Sequence, residues 1–350
     1  MSPAASLLRA AAATLLLLLP PCARAASSIV SNAAPRVDAA TGQILDIHDG
    51  TTIRVGDTFY WFGASYGGCT EMATGCASIA VGNCGFQLNH TVSLATSTDL
   101  VNWTLVGSIL PLANRPPGIL FGPTVARSSA TGAWVLWANI LPVVNGSGDF
   151  DASFYAAFTS PTPEGPFVLA VANISGLAYT RLPDSPFLFV DDDGRGYVAF
   201  THEDTHINHV QALTPDLLGP AVPGGAVSPQ VGPGNNEGVL MFKRGGLYYV
   251  GFGACCCFCG EGSNVDLYVA DAPLGPYKFA GTAITPAVWG AQTGAVWFTG
   301  AQFVLYGDRW QSAPDRIKAH DYSYMTPLAF AADGSVLPIP ARQDEVTISY

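Results

Sequence analysis

Three carboxyl side chains lie far apart in this chain but share one local setting. Asp49, Asp184 and Glu237 each stand shortly before a glycine that opens an aromatic and β-branched run. Carboxyls gathered into one pocket can serve as general acid and general base, so the fold must be asked whether it gathers them. The runs are five copies of one phrase: Gly56-Asp-Thr-Phe-Tyr-Trp-Phe-Gly63, Gly132-Ala-Trp-Val-Leu-Trp-Ala-Asn139, Gly194-Arg-Gly-Tyr-Val-Ala-Phe-Thr201, Gly246-Leu-Tyr-Tyr-Val-Gly-Phe252 and Gly300-Ala-Gln-Phe-Val-Leu-Tyr-Gly307. Each predicts a turn feeding a buried strand. Recurrence at intervals of roughly 50 to 75 residues predicts radial repetition, an all-β five-bladed β-propeller. Equivalent positions on different blades of such a ring converge on its axis, which would bring the three carboxylates together.

A second recurring phrase marks the outer part of each unit: Thr96-Ser-Thr-Asp-Leu-Val-Asn-Trp103, Thr159-Ser-Pro-Thr-Pro-Glu-Gly-Pro-Phe167, Thr214-Pro-Asp-Leu-Leu-Gly-Pro220 and Ala270-Asp-Ala-Pro-Leu-Gly-Pro-Tyr277. Each is read as the turn joining a third strand to a fourth. The blades then span about 46–110, 117–176, 183–228, 236–286 and 290–347, with 26–45 crossing the base or joining the last blade. Blades cannot bury their faces separately, so 26–350 is expected to be a single domain. Two segments, 64–90 and 253–264, are longer than a hairpin needs and are expected to shape a binding site.

Residues 1–25 are set apart. Arg9, the apolar run Ala10 to Leu19 and Ala23-Arg24-Ala25 read as the three parts of a secretory signal peptide. No later segment is apolar for long enough to span a membrane. Sequons at Asn89, Asn102, Asn145 and Asn173 fit a secreted glycoprotein. Cys69, Cys76 and Cys84 fall in one loop and Cys255, Cys256, Cys257 and Cys259 in another. Disulfides are expected there, with at least one thiol left over because seven is odd; adjacent cysteines lack the spacing of structural zinc. The formal net charge of −11 disfavours a nucleic-acid partner. No Gly-x-Ser-x-Gly elbow or phosphate-binding glycine loop is present.

The motifs resemble those of glycoside hydrolase family 43, five-bladed propellers that cleave arabinan, xylan and galactan side chains. His48-Asp49-Gly-Thr-Thr-Ile before Gly56-Asp-Thr-Phe-Tyr-Trp-Phe resembles the family's opening blade. Asp184-Ser-Pro-Phe-Leu-Phe-Val-Asp-Asp-Asp-Gly194 resembles its middle-blade motif, and Asn236-Glu237-Gly-Val-Leu-Met-Phe-Lys-Arg-Gly-Gly-Leu-Tyr-Tyr its acid-bearing motif. The resemblance implies hydrolysis with inversion, Glu237 as general acid and Asp49 as general base, one protonating the leaving oxygen and the other activating water. It implies a third carboxylate that raises the acid's pKa, at Asp184. Here Ser185 intervenes before the proline: counting back from Phe189 puts Ser185 in the aspartate's register, and a one-residue bulge would restore Asp184. Phe121 stands where a galactanase-like subgroup carries glutamate; that subgroup also lacks the first-blade aspartate kept here as Asp49. Gln292 matches a last-blade glutamine of the galactanase site.

Tyr66, Trp289 and Trp310 are candidates to stack on sugar rings, with packing between blades as the competing role. Arg309 is a candidate to bind sugar hydroxyls or to hold Asp308. His320 is a candidate to line the axis, where family members bind calcium or another ion. His202, His206 and His209 lack a zinc-hydrolase pattern. Asp191-Asp192-Asp193-Gly194 reads as a solvated β-turn rather than a calcium loop. The expectation is a secreted, monomeric glycosidase acting on a polysaccharide or oligosaccharide, with no required cofactor. Its rivals are a non-catalytic carbohydrate-binding propeller and a retaining fructosidase-like enzyme in which Asp49 is the nucleophile.

Overall fold

The computed structural model describes residues 26–72, 75, 78–179 and 183–350. The signal-peptide reading of 1–25 and the thiol of Cys76 lie outside the described residues. Five antiparallel sheets follow one another along the chain, each a meander from an inner strand outward. The first holds His48–Val55, Thr58–Ser65, Thr91–Ser97 and Thr104–Leu110. The second holds Ile119–Arg127, Trp134–Leu141, Phe154–Ser160 and Val168–Val171. The third has three strands, Pro183–Val190, Gly196–His202 and Asn208–Ala212. The fourth holds Asn236–Arg244, Leu247–Ala254, Val265–Ala270 and Lys278–Ile284. The fifth has three strands, Gln292–Phe298, Phe303–Arg309 and Tyr322–Pro327.

The five first strands pack side by side in a closed circle, the fifth returning to the first. The molecule is a five-bladed β-propeller. The aromatic phrases form the second strand of every blade, and their residues are the most buried of all: Trp134–Leu141 is buried throughout. Trp61, Trp137, Tyr249 and Tyr306, all from these second strands, are among the largest side chains closed off from solvent. The Thr96, Thr159 and Ala270 phrases are the turns between third and fourth strands. In the third blade the Thr214 phrase leads into isolated bridges, Gln211 to Val227 and Asn208 to Val231, in place of a fourth strand. The N-terminal strand Ser27–Ser31 pairs antiparallel with Glu345–Ser349, which packs on Tyr322–Pro327 of the last blade. The following residues run beneath the first blade, where Asp38 accepts from Leu105 N at 2.8 Å.

Every inner strand is broken by one bulge near its start. Between His48 and Thr51, Phe121 and Thr124, Asp184 and Phe187, Glu237 and Leu240, and Thr293 and Ala295, the inner strand carries one residue more than its partner. Such a bulge bends the strand and re-aims side chains. Four bulges contain a residue with positive φ: Asp49 at 52°, Gly122 at 49°, Ser185 at 43° and Gly238 at 65°.

Candidate active site

Residues at or just before these bulges, from all five blades, meet at one end of the axis. Asp49, Phe121, Asp184, Glu237 and Gln292 all line a single cavity of about 330 Å³. Its walls come from the loops leaving the second strands, which end beside the starts of the first strands. Those loops supply Phe150, Glu203, His206, Cys255, Cys257, Phe258 and Trp310, while Ile79 and Phe86 come from the long first-blade loop. Both long loops singled out in the sequence therefore reach the cavity.

Glu237 is the most firmly held carboxyl. It is 7% exposed. Its Oε1 accepts from the Cys256 N–H and from Gln292 Nε2 at 2.6 Å, and its Oε2 from the Cys255 thiol at 3.2 Å. Gln292 is itself fixed, because Trp310 Nε1 donates to its Oε1 at 2.6 Å. Burial first, then the nearby Asp184, pushes Glu237 up to about 7 against these donors. Asp49 also rises to about 7, through burial and then the Asp308 carboxylate. Asp308 accepts the Asp49 N–H at 2.8 Å, and Asp49 Oδ2 takes the Gly122 N–H at 2.8 Å.

In the third blade Asp184 pairs with Thr201 just before the bulge, as Glu237 pairs with Gly253, and Ser185 and Pro186 lie within the bulge. Ser185 Oγ donates to Asp184 Oδ2 at 3.0 Å and Tyr155 OH donates to its main-chain carbonyl at 2.7 Å. Burial raises the Asp184 carboxyl as well. Glu203 is a fourth carboxyl in the cavity, pushed up to about 8 by burial and then by Asp184 and Glu237. Sequence reasoning missed it. The signal was present: Glu203 directly follows the strand Gly196–His202, whose end lies opposite Asp184.

Four expected substrate or metal contacts are corrected. Trp289 is wholly buried in the short helix Pro286–Trp289, donates to Ser263 O at 2.6 Å and does not line the cavity. Tyr66 is 1% exposed and packed edge-on against Trp310, so no sugar can stack on it; its hydroxyl reaches Asp49 Oδ2 at 3.5 Å. Arg309 donates to Asn32 O at 2.9 Å and lies over the Tyr322 ring, away from both the cavity and Asp308. His320 is not axial: its Nδ1 pairs with Asp315 at 2.8 Å on a half-exposed turn. The narrow axial space below the cavity, about 20 Å³, is lined by bulge residues with Asp49 as its one carboxylate. Trp310 does line the cavity; Lys318 Nζ sits 3.6 Å from both its ring and that of Phe258, clamping the two walls together.

The sequence profile named Glycosyl hydrolases family 43 matches residues 44–311. The chain belongs to this family. Its members' solved structures share the fold at low identity. A family 43 β-1,3-galactosidase superposes with a TM-score of 0.71 at 20% identity, covering 92% of this chain and 64% of that one. An exo-β-1,3-galactanase from Clostridium thermocellum gives 0.71 at 21%, covering 92% and 67%. A β-xylosidase/α-arabinofuranosidase from a compost microbial metagenome, solved with xylotriose, gives 0.66 at 17%, covering 89% and 98%. This chain thus spans under two thirds of the first of these proteins. No curated protein sequence matches it. Family 43 is a family of glycosidases, enzymes that hydrolyse glycosidic bonds.

Among the described residues the cysteines form disulfides with one thiol over. Cys69 pairs with Cys84 and Cys256 with Cys259, and Cys257 is disulfide-bonded as well. Cys255 is the free cysteine among the described residues. The Asp191–Asp193 run is a turn, anchored by Lys243 Nζ at 2.6 Å from Asp191 Oδ1.

Proposed function

We propose that this family 43 chain is an inverting exo-acting glycosidase that removes terminal sugars from arabinan-, xylan- or galactan-type side chains. Glu237 is its general acid, Asp49 its general base, and Asp184 the carboxylate that keeps Glu237 protonated. The observation that carries this reading is the setting of Glu237. It is buried, aimed by three donors and pushed to about 7, in one cavity with Asp49. A general acid needs a pKa near working pH, and burial beside another carboxyl supplies it.

Asp49 is readied differently. The Gly122 N–H and the Tyr66 hydroxyl both donate to its Oδ2, aiming it and favouring the charged form that accepts a proton from water. A cavity of about 330 Å³ lies at the low end for ligand clefts, which favours one terminal sugar over a long run of polysaccharide. The rings of Phe121 and Phe258 give its walls apolar surface for a sugar to cover. No cofactor is needed, since the two carboxyls carry both proton transfers. Phe121 in the second-blade place argues against strict exo-galactanase specificity. Secretion and glycosylation complete the reading; Asn89, Asn102, Asn145 and Asn173 are all exposed. Among the described residues no helix is long and apolar enough to cross a membrane.

The test is hydrolysis of aryl glycosides and side-chain oligosaccharides by the purified protein, beside Glu237→Gln and Asp49→Asn. Each variant is expected to lose about 10²–10⁴-fold in kcat/KM with its melting temperature kept. The first-formed anomer, followed by NMR, is expected to be inverted. A retained anomer would point to Asp49 as nucleophile. Sugar binding without turnover would make the protein a lectin-like propeller.

A further inference from the structure

Two groups beside Glu237 are not used by the hydrolysis just described. The Cys255 thiol stands 3.2 Å from Glu237 Oε2 and is free. His206 comes from the neighbouring blade, on the loop that leaves Gly196–His202, and lines the same cavity. One ligand atom from each of His206, Glu237 and Cys255 lies within 4.8 Å of the other two. The backbone fixes the two loops to each other: Asn236 N donates to His206 O at 3.0 Å, and Cys255 N to Asn235 O at 3.1 Å.

We propose that His206, Glu237 and Cys255 form a binding site for a soft divalent transition-metal ion such as Zn²⁺, which blocks the acid and switches hydrolysis off. Thiolate, imidazole and carboxylate are the donors zinc takes, and three protein ligands leave a fourth position open toward the cavity. Bonds of about 2.0–2.3 Å place tetrahedral donors roughly 3.3–3.8 Å apart. The trio therefore closes on an ion by movement of about an ångström at its widest edge, and His206, only half-buried, has room to make it. Calcium and magnesium demand oxygen donors and do not suit a set with sulfur and nitrogen.

The consequence is a direct contest for one carboxyl. A metal-bound Glu237 must be ionised, so the proton it would give to the leaving oxygen goes to solvent, together with the Cys255 thiol proton. No electron moves and no bond other than the coordinate bonds forms. Inhibition rests on the reading of Glu237 as the acid; the binding of the ion does not.

The experiment is a titration of the full chain, its disulfides intact and Cys255 a free thiol, with Co²⁺, a coloured stand-in for zinc, and with Zn²⁺ by calorimetry. The expected result is a saturable thiolate-to-cobalt absorption, displaced by Zn²⁺ and unaffected by Ca²⁺ or Mg²⁺. It is expected to vanish in Cys255→Ser and to need at least about tenfold more metal in His206→Ala. Alkylation of Cys255 in the otherwise unaltered protein should abolish it too, which guards against a variant that fails to fold. In parallel, Zn²⁺ should inhibit hydrolysis, a chelator should restore it, and half-inhibition should need at least about tenfold more Zn²⁺ in either variant. No thiolate absorption, or an absorption unchanged by both substitutions, overturns the site. Binding through Cys255 without loss of activity overturns the switch. Binding through Cys255 in a protein that hydrolyses no glycoside keeps the metal site and removes the hydrolase reading instead.

Discussion

At Glu237 two sets of forces oppose each other. Three hydrogen-bond donors favour the carboxylate, while burial and the Asp184 charge favour the acid, and the acid wins up to about 7. Asp49 sits near the same value, yet the general-base role proposed for it requires the ionised form. The cavity carboxyls therefore titrate as a group, and the two limbs of the pH profile report the group rather than single residues. The expected kcat/KM profile is a narrow bell near neutrality. Asp184 raises both Asp49 and Glu237, so Asp184→Asn should lower both. Both limbs then move to lower pH, measured on any substrate the wild type turns over. An unmoved alkaline limb would remove Asp184 from the role of modulator. Gln292→Leu should act more narrowly. It removes the 2.6 Å donor from Glu237 and frees Trp310, so kcat is expected to fall by roughly tenfold or more while the Asp49 limb stays.

The decisive element is the bulge. Side chains alternate faces along a strand, so one added residue decides which of them reach the axis. Deleting Ser185 should restore a regular ladder, swing Asp184 out of the cavity and reproduce the pH profile of Asp184→Asn in a folded protein. Gly238→Ala tests the same feature energetically. Its φ is 65° and an added Cβ would meet Thr293 O at 2.4 Å, so a loss of roughly 1–3 kcal/mol is expected in denaturant unfolding. Much of this level was legible beforehand. The Gly-aromatic phrases marked all five second strands because a strand buried on both faces needs a continuous apolar run. Asp49 and Glu237 were legible from the motifs beside those phrases. What could not be read was direction. Trp289 and Arg309 stand next to cavity residues in the chain, yet one lies in a helical turn folded into the core and the other points at the N-terminal segment. Glu203, His206 and Cys255 stayed hidden because loops from different blades build the wall, and only the closed ring makes them neighbours.

For the whole molecule, gathering acids in a poorly solvated space ties stability to pH. Asp49, Glu203 and Glu237 are raised to about 7, 8 and 7, so the folded chain holds protons that the unfolded chain has released by mild acidity. Raised carboxyls stabilise the fold at low pH, and that contribution is lost as pH climbs through the folded values. His90 and His202, both lowered to about 4 by burial, oppose this below pH about 6.5. The clean window is thus pH about 6.5 to 8, where the melting temperature is expected to fall as pH rises, followed by calorimetry. A flat melting temperature across that window would mean that these acids are ionised in the fold. Asp49→Asn should make the fall shallower.

The five bulges have a meaning for redesign as well. Each blade sends a residue from within or just before its kink to the mouth of the axis: Asp49 from inside its bulge, Phe121, Asp184 and Glu237 from the position before theirs, and Gln292 from just ahead of the last. Three of those occupants are acids and one is an amide that steadies an acid. Phe121 alone carries no polar group, and it leans on Phe86 and Phe258 rather than on a carboxylate. The second blade is thus a spare socket. Exchanging its occupant is expected to alter which sugar the cavity accepts while leaving the proposed pair, Asp49 and Glu237, and the ring around it in place.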